Sequence, residues 1–363
     1  MNRREFLAVT AGSAAAVVIP KAVPGQAPAA LPDPTLAKLP RWRGFNLLEY
    51  FEGRRKKPFV EKDFELIAKL GFDFVRLPLS YWAWSGEKPE EWEAIDEKSL
   101  KTIDDCVEWG RRYGIHVNVN FHRAPGYCVN PPEEPLSLWD NERALEACAK
   151  HWAHFAARYK GRPNREVTFN LLNEPKDIKE DLYARVVRRL VAAIHERDKD
   201  RLIIADGLKW GGTPCPSLVG VVPQSTRGYQ PSQVSHYNAN WVEGSDKWPL
   251  PTWPLKVQQK DRVDVWDKAK LASDRVDKWK AIAAKGCGVH VGEWGSYNKT
   301  PHAVALAWMK DNLELWKAAG FGWALWNFRG SFGILDSGRK DVEYESWNGH
   351  KLDRGMLELV KAY

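Results

Sequence analysis

Residues 166–175 read EVTFNLLNEP. Val167, Phe169, Leu171 and Leu172 form a short apolar run of strand type, and the run ends on an amide, an acid and a proline. Pro175 has no N–H with which to continue a ladder, so the strand stops there. A buried strand normally fades into small turn residues; this one delivers Asn173 and Glu174. Either Glu174 merely caps a turn, or the strand exists to hold that acid in place.

The flanking sequence places the stretch in a repeating unit. Upstream, 141–159 is helical, with Leu145, Cys148, Trp152, Phe155 and Tyr159 on one stripe. Downstream, 179–197 is a second helix. Similar strand-like runs occur at 44–48, 72–77, 115–121, 201–205, 287–291 and 321–326, and 233–235 leads into a sixth strand end. Helical periodicity covers 61–70, 98–113, 263–285, 302–319 and a closing 352–362. Strands alternating with helices in this way are parallel strands with right-handed crossovers. About eight such units predict an α/β chain folded as a (β/α)8 TIM barrel. No Gly-x-Gly-x-x-Gly follows a strand and no phosphate-loop signature occurs, which argues against an open nucleotide-binding sheet.

The chain has 363 residues, 44% of them hydrophobic and 28% charged, enough for one large core. The net charge of +7 is dispersed, and Arg54-Arg55-Lys56-Lys57 reads as a solvated loop rather than a nucleic-acid site. The 19 tryptophans serve as core filler and as flat faces on which sugar rings stack. The five cysteines form no CxxC pair and no zinc site, but leave room for one bridge between Cys128 and Cys215. At the N-terminus, Arg3-Arg4-Glu5-Phe6-Leu7 before an Ala-rich apolar stretch resembles a twin-arginine export signal over 1–30. Residues 31–40 are expected to be a linker, and 41–363 a single catalytic domain. The expectation is an exported, periplasmic or extracellular monomer with no stable membrane association.

Barrel active sites lie at the C-terminal ends of the strands. Read in order, those ends supply Asn46 and Glu49, Arg76, His122 and Arg123, Asn173 and Glu174, His236 and Tyr237, Glu293 and Trp294, and Trp326 and Asn327. Glu174 and Glu293 then face each other across the barrel mouth. Glycoside hydrolysis needs such a pair, one acid protonated and one ionised. Arg76 is the candidate to keep Glu293 charged. His236 and Tyr237 are candidates to tune Glu174 or to bond the other carboxylate, and Asn173 is placed for a sugar 2-hydroxyl. Trp82, Trp139, Trp241 and Trp253 are candidate stacking surfaces, with Trp84 and Trp248 beside them.

These motifs resemble glycoside hydrolase family 5, the cellulase-like barrels of clan A. Arg41-Trp42-Arg43-Gly44-Phe45-Asn46-Leu47 resembles the family's first strand and Val75-Arg76-Leu77-Pro78 its second. His122 matches its histidine, Leu172-Asn173-Glu174-Pro175 its acid/base motif, and Gly292-Glu293-Trp294-Gly295 its nucleophile motif. Trp326 matches its tryptophan at the sugar-binding subsite before the cut. One departure concerns strand six, where the family's His-x-Tyr is replaced by Ser235-His236-Tyr237-Asn238. The resemblance implies a retaining endo-acting hydrolase of β-linked glucan, most of all β-1,4-glucan, that uses a covalent glycosyl-enzyme intermediate and no metal or organic cofactor. Its partner would be a polysaccharide or oligosaccharide. Mannan and β-1,3-glucan are the rival substrates within the family. A non-catalytic carbohydrate-binding barrel is the rival of another class, disfavoured by the presence of both glutamates. A metal-dependent barrel hydrolase would need His-x-His after strand one, and there is none.

Overall fold

Eight parallel strands close into a barrel in a computed structural model that describes residues 31–258 and 260–363. The export signal read at 1–30 lies outside those residues. The strands are β1 (Arg43–Asn46), β2 (Phe74–Ser80), β3 (His116–Ala124), β4 (Val167–Asn170), β5 (Ile203–Asp206), β6 (Gln224–Gly228), β7 (Val289–Trp294) and β8 (Gly322–Leu325). Each pairs in parallel with the next, and β8 pairs back onto β1 through Arg43 opposite Trp323. The (β/α)8 expectation holds.

The outer helices form where the 3.6-residue periodicity predicts them. They include α1 (Glu61–Lys69), α2 (Glu97–Tyr113), α3 (Glu142–Arg158) and α4 (Glu180–His195). Their ends are set by local chemistry. The Asp96 carboxylate accepts the Lys98 N–H at 3.0 Å, and the Asn141 side chain accepts those of Arg143 and Ala144, satisfying donors that a helix start leaves orphaned. Gly114, at φ 67°, closes α2 in the left-handed conformation.

The strands divide chemically by face. Val117, Val119 and Phe121 of β3 point toward the helices, where Phe121 stacks on Trp152 at 3.9 Å between centroids. The alternate residues line a polar barrel interior. There Asn118 donates to Thr168 at 2.9 Å, Asn120 to the Asn170 carbonyl at 3.0 Å, and Asn170 to Asp206 at 3.0 Å. Buried polar groups are stable only when bonded in this way. The N-terminal end of the barrel is plugged by Leu39, Trp42, Phe74, Leu202, Ile204 and Ala324. Trp42 stacks on His116 at 3.8 Å. Burial pushes the His116 imidazole down to about 3, so it sits in this floor as a neutral ring.

Within 31–40, the Leu36 carbonyl accepts from Gly288 N at 2.8 Å, and Leu39 is buried in the plug. Three readings of the sequence need correction. Residues 263–266 are not helical but form a strand, Val263–Trp266, paired antiparallel with Leu255–Gln258; the helix starts at Lys268 and carries a π turn over Ala272–Val276. Cys128 and Cys215 are both free and buried, the first at the His122 carbonyl and the second against Gln224. The sixth strand is Gln224–Gly228, not a segment ending at Ser235. Residues 232–235 form a single helical turn.

Candidate active site

The strand ends open into a cleft of about 900 Å³ at the C-terminal face, into which Glu174, Glu293, His122, His236 and Trp326 project. Glu174 stands just past β4 in the left-handed region, at φ 51°. A non-glycine residue there stores backbone strain and must be held from several sides. Its backbone N–H donates to Asp206 at 2.9 Å, and its carbonyl accepts from the Tyr127 hydroxyl at 2.7 Å. The turn at Asn-Glu-Pro therefore aims the acid rather than simply ending a strand.

Glu293 reaches the interior by a different device. Opposite β6, Val291 pairs with Thr226 and Glu293 with Arg227, so Gly292 is an extra residue in the ladder. A bulge of one residue switches every later side chain to the other face. Without it Glu293 would point with Val291 toward the helices. With it, Glu293 points inward and Trp294 packs outward against Trp316 at 4.8 Å. Only glycine fits at the bulge: a Cβ on Gly292 would lie 2.4 Å from Ser225 Oγ and 3.0 Å from Arg227 Nη1.

Two buried arginines organise the pair. Arg76 donates to Glu293 at 2.6 Å, to Asn173 at 2.8 Å, to Asn170 at 2.9 Å and to Asn46 at 3.1 Å. Arg227 bonds Glu174 at 2.9 Å, Asn173 at 2.8 Å and Asp206, and its Nη2 lies 3.2 Å from Glu293. Asn173 Oδ1 thus accepts from both arginines, which leaves its buried amide Nδ2 without a partner and available to a ligand oxygen. Asn46 acts behind Arg76, its amide donating to the Gly292 carbonyl at 3.1 Å. The Tyr229 hydroxyl lies 3.4 Å from Glu293 Oε2.

The electrostatics of the site act on Glu174. Burial first, and then the negative charge of Glu293, raise the Glu174 carboxyl to about 8, against the pull of Arg227. His122 donates its Nε2–H to Asn130 Oδ1 at 2.7 Å and is pushed down to about 3 by burial. Burial likewise lowers His236 to about 4. Both rings are neutral hydrogen-bonding groups at pH 7.

Most residues expected at the strand ends meet here: Arg76, His122, Asn173, Glu174, Glu293 and Trp326, with Asn46 in support. His236 also lines the cleft, but from the loop after β6. Tyr237 is a correction: it follows the short helical turn and lies outside the cleft lining, while Tyr229 holds the position beside Glu293. β6 ends on Arg227-Gly228, and Tyr229 follows directly. Among the expected stacking surfaces, Trp241 lines the cleft at 55% exposure. Trp82 borders an adjoining hollow with Arg54 and Arg123 against its ring. Trp139 is buried against Tyr127 and Tyr183, and Trp253 bonds Asp311 away from the cleft, so neither presents a face to it. Trp84 is fully buried and Trp248 does not line the cleft.

Sequence reading missed Asp206, Arg227, Tyr229, Asn130 and Trp210. Trp210 lines the cleft at 49% exposure, and with Lys209 it occupies left-handed backbone. Its N–H donates to the Pro175 carbonyl at 2.8 Å, which sets the indole beside the Glu174 turn. The missed strand carried one signal: Pro223 and Pro231 bracket it. Among the described residues no cluster of ligating side chains could hold a metal ion, and no helix is long and apolar enough to cross a membrane.

Along most of its length the chain is similar to known proteins. Residues 37–331 match the family described as Cellulase (glycosyl hydrolase family 5). Endoglucanase C of Acetivibrio thermocellus is 25% identical over 313 residues, 80% of this chain and 90% of that protein. Cellodextrinase A of Ruminococcus flavefaciens is 32% identical over 273 residues, 72% of this chain and 76% of that one. A crystal structure of a glycoside hydrolase superposes with a TM-score of 0.83 at 37% identity, covering 88% of this chain and 98% of the other. With the match running from the barrel floor through the last strand, the chain belongs to glycosyl hydrolase family 5.

Proposed function

We propose that this hydrolase is a retaining, endo-acting enzyme for β-glucan, preferring β-1,4 linkages, with Glu174 as acid/base and Glu293 as nucleophile. The observation that carries the reading is the sharing of one guanidinium by the two carboxylates: Arg227 lies 2.9 Å from Glu174 and 3.2 Å from Glu293. That closeness favours the roughly 5–5.5 Å spacing of a retaining pair over the wider gap that an inverting enzyme leaves for water.

In the first step a Glu293 oxygen attacks the anomeric carbon, the bond to the leaving oxygen breaks, and Glu174 gives that oxygen its proton. In the second, water attacks the same carbon, its proton passes to Glu174, and the ester to Glu293 breaks. Arg76, donating to Glu293 at 2.6 Å, holds it aimed at the reacting carbon. The Asn173 amide donates to the sugar 2-hydroxyl, a bond that tightens as charge develops at the ring. Trp326 and His122 wall one side of the reacting sugar, and Trp241 and Trp210 offer stacking faces along the cleft. The names endoglucanase C and cellodextrinase A among its relatives support a glucan over a mannan. The protein acts as a monomer and is exported on the Arg3-Arg4 signal.

Reducing-sugar release from carboxymethyl cellulose, barley glucan, laminarin, glucomannan and galactomannan, with Glu293→Gln beside the wild type, tests the substrate. Release from the first two, lost in the variant, is expected. NMR of the first product resolves the stereochemistry: a β-anomer appearing before mutarotation supports retention, and an α-anomer overturns it.

A further inference from the structure

Arg227 and Asp206 form a buried ion pair to which the two proposed steps assign no bond made or broken. Asp206 is fully buried and Arg227 is 4% exposed. The pair is nevertheless wired into both acids. Arg227 contacts Glu174 and Glu293 directly, and Asp206 bonds the Glu174 backbone N–H.

The hydrogen-bonded cluster around the pair is balanced in charge. Arg76 and Arg227 are positive; Asp206 and Glu293 are negative. Those four cancel, so an ionised Glu174 would leave a buried excess of one negative charge, which low-dielectric surroundings penalise. A protonated Glu174 leaves the cluster neutral. Once Glu293 is esterified to the sugar, its charge is gone and Glu174 has given up its proton, so the cluster is neutral again. Without Asp206, Arg227 would tip the resting cluster positive and favour early loss of the proton.

We infer that Asp206 and Arg227 are positioning residues that fix the protonation of the Glu174–Glu293 pair: Arg227 orients both carboxylates and Asp206 cancels the charge it brings, so that the pair carries one proton. This inference rests on the reading of Glu174 as the acid. The other groups facing Glu174 do not substitute for the pair. Tyr127 bonds only its backbone, and Tyr229 is held protonated by burial and by Glu293. His122 and His236 stay neutral. Lys209 pairs with Asp177 at 3.6 Å, and Arg275, which also lines the cleft, lies against Gly212.

The test follows the Glu174 proton in Asp206→Asn and in Asp206→Asn/Arg227→Met, using 13C-glutamate NMR titration with Glu174→Gln to assign the signal. A pH profile of kcat/KM on barley glucan is measured in parallel. In Asp206→Asn the titration midpoint and the alkaline limb should fall together by about one pH unit or more, because a cancelling negative charge is removed. In the double variant the midpoint should return to the wild-type value or above. A purely structural Asp206 would lower the melting temperature and leave the midpoint in place, and that result overturns the inference. If Asp206→Asn does not fold, the charge-balanced double variant decides: a midpoint well below wild type overturns the inference. The titration needs no turnover, so a failure to cleave any glucan would sink the proposed function while leaving this question answered.

Discussion

The sharpest prediction concerns the alkaline side of the pH profile. Glu174 is protonated up to about pH 8 because its carboxyl is buried beside Glu293. Relative to a solvated carboxyl at 4.5, ionising it in the folded enzyme costs on the order of 4–5 kcal/mol more, at about 1.4 kcal/mol per pH unit. Glycosidic cleavage with a sugar leaving group requires that proton. The free enzyme's kcat/KM on a polymer should therefore be half-maximal near pH 8, and roughly tenfold lower for each further pH unit. The assay is initial-rate reducing-sugar release from barley glucan between pH 5 and 10, with dilution back to pH 7 to exclude unfolding. A 2,4-dinitrophenyl β-cellobioside is run in parallel. Its leaving group departs without a proton, so the limb due to Glu174 should vanish from the glycosylation step. Glu174→Gln should lose about 10²–10⁴-fold on the polymer yet retain that step on the activated glycoside. A limb below pH 6, or one identical for both substrates, would refute the assignment of the proton to a buried Glu174.

The same raised carboxyl predicts a stability cost. Its folded pKa of about 8 lies above the ordinary value, so the folded state holds the proton more tightly than the unfolded chain. Stability is therefore lost as pH rises from about 4.5 to 8, and stays level above. Glu174→Gln removes the cost, and its melting temperature should exceed that of the wild type by a margin that widens between pH 5 and 8. Tyr229→Phe should lower kcat about tenfold or more by removing the hydroxyl beside Glu293, whereas Tyr237→Phe should leave kcat within twofold; kinetics of the two variants side by side would reveal a reversed order. Trp241→Ala and Trp210→Ala should weaken polymer binding by about 1–2 kcal/mol each, seen as a raised KM, while Trp139→Ala should act on thermal stability instead, by about 3–5 kcal/mol.

Much of the barrel is legible from sequence because its outer layer obeys simple periodicity. Helices such as Glu142–Arg158 bury one stripe, and strands such as Val167–Asn170 alternate into it. The glutamates were found for a related reason. A strand that ends on Asn-Glu-Pro, and another on Gly-Glu-Trp-Gly, break the usual polarity of a strand end. The strand that carries Arg227 escaped because Gln224, Ser225, Thr226 and Arg227 are polar and all buried. Hydrophobicity cannot mark a strand whose inward side chains are satisfied by hydrogen bonds rather than by apolar packing. No regular crossover helix separates it from β5, only short turns, so the alternation that located the other strands lapses there.

The sequence by itself determined the class of fold, the two glutamates and the arginine and histidine near them, since these follow from short local patterns and from their repetition along the chain. Tertiary structure decided which way those groups point and what charge they carry. The Gly292 bulge turns Glu293 inward through its register with β6, and register is a property of two strands, not one. Tyr229 rather than Tyr237 stands beside Glu293 because β6 ends at Gly228. The single proton we infer on Glu174 reflects five ionisable groups from five strands and the turns after them, far apart along the chain, brought together in a medium too poorly polarisable to tolerate an excess charge.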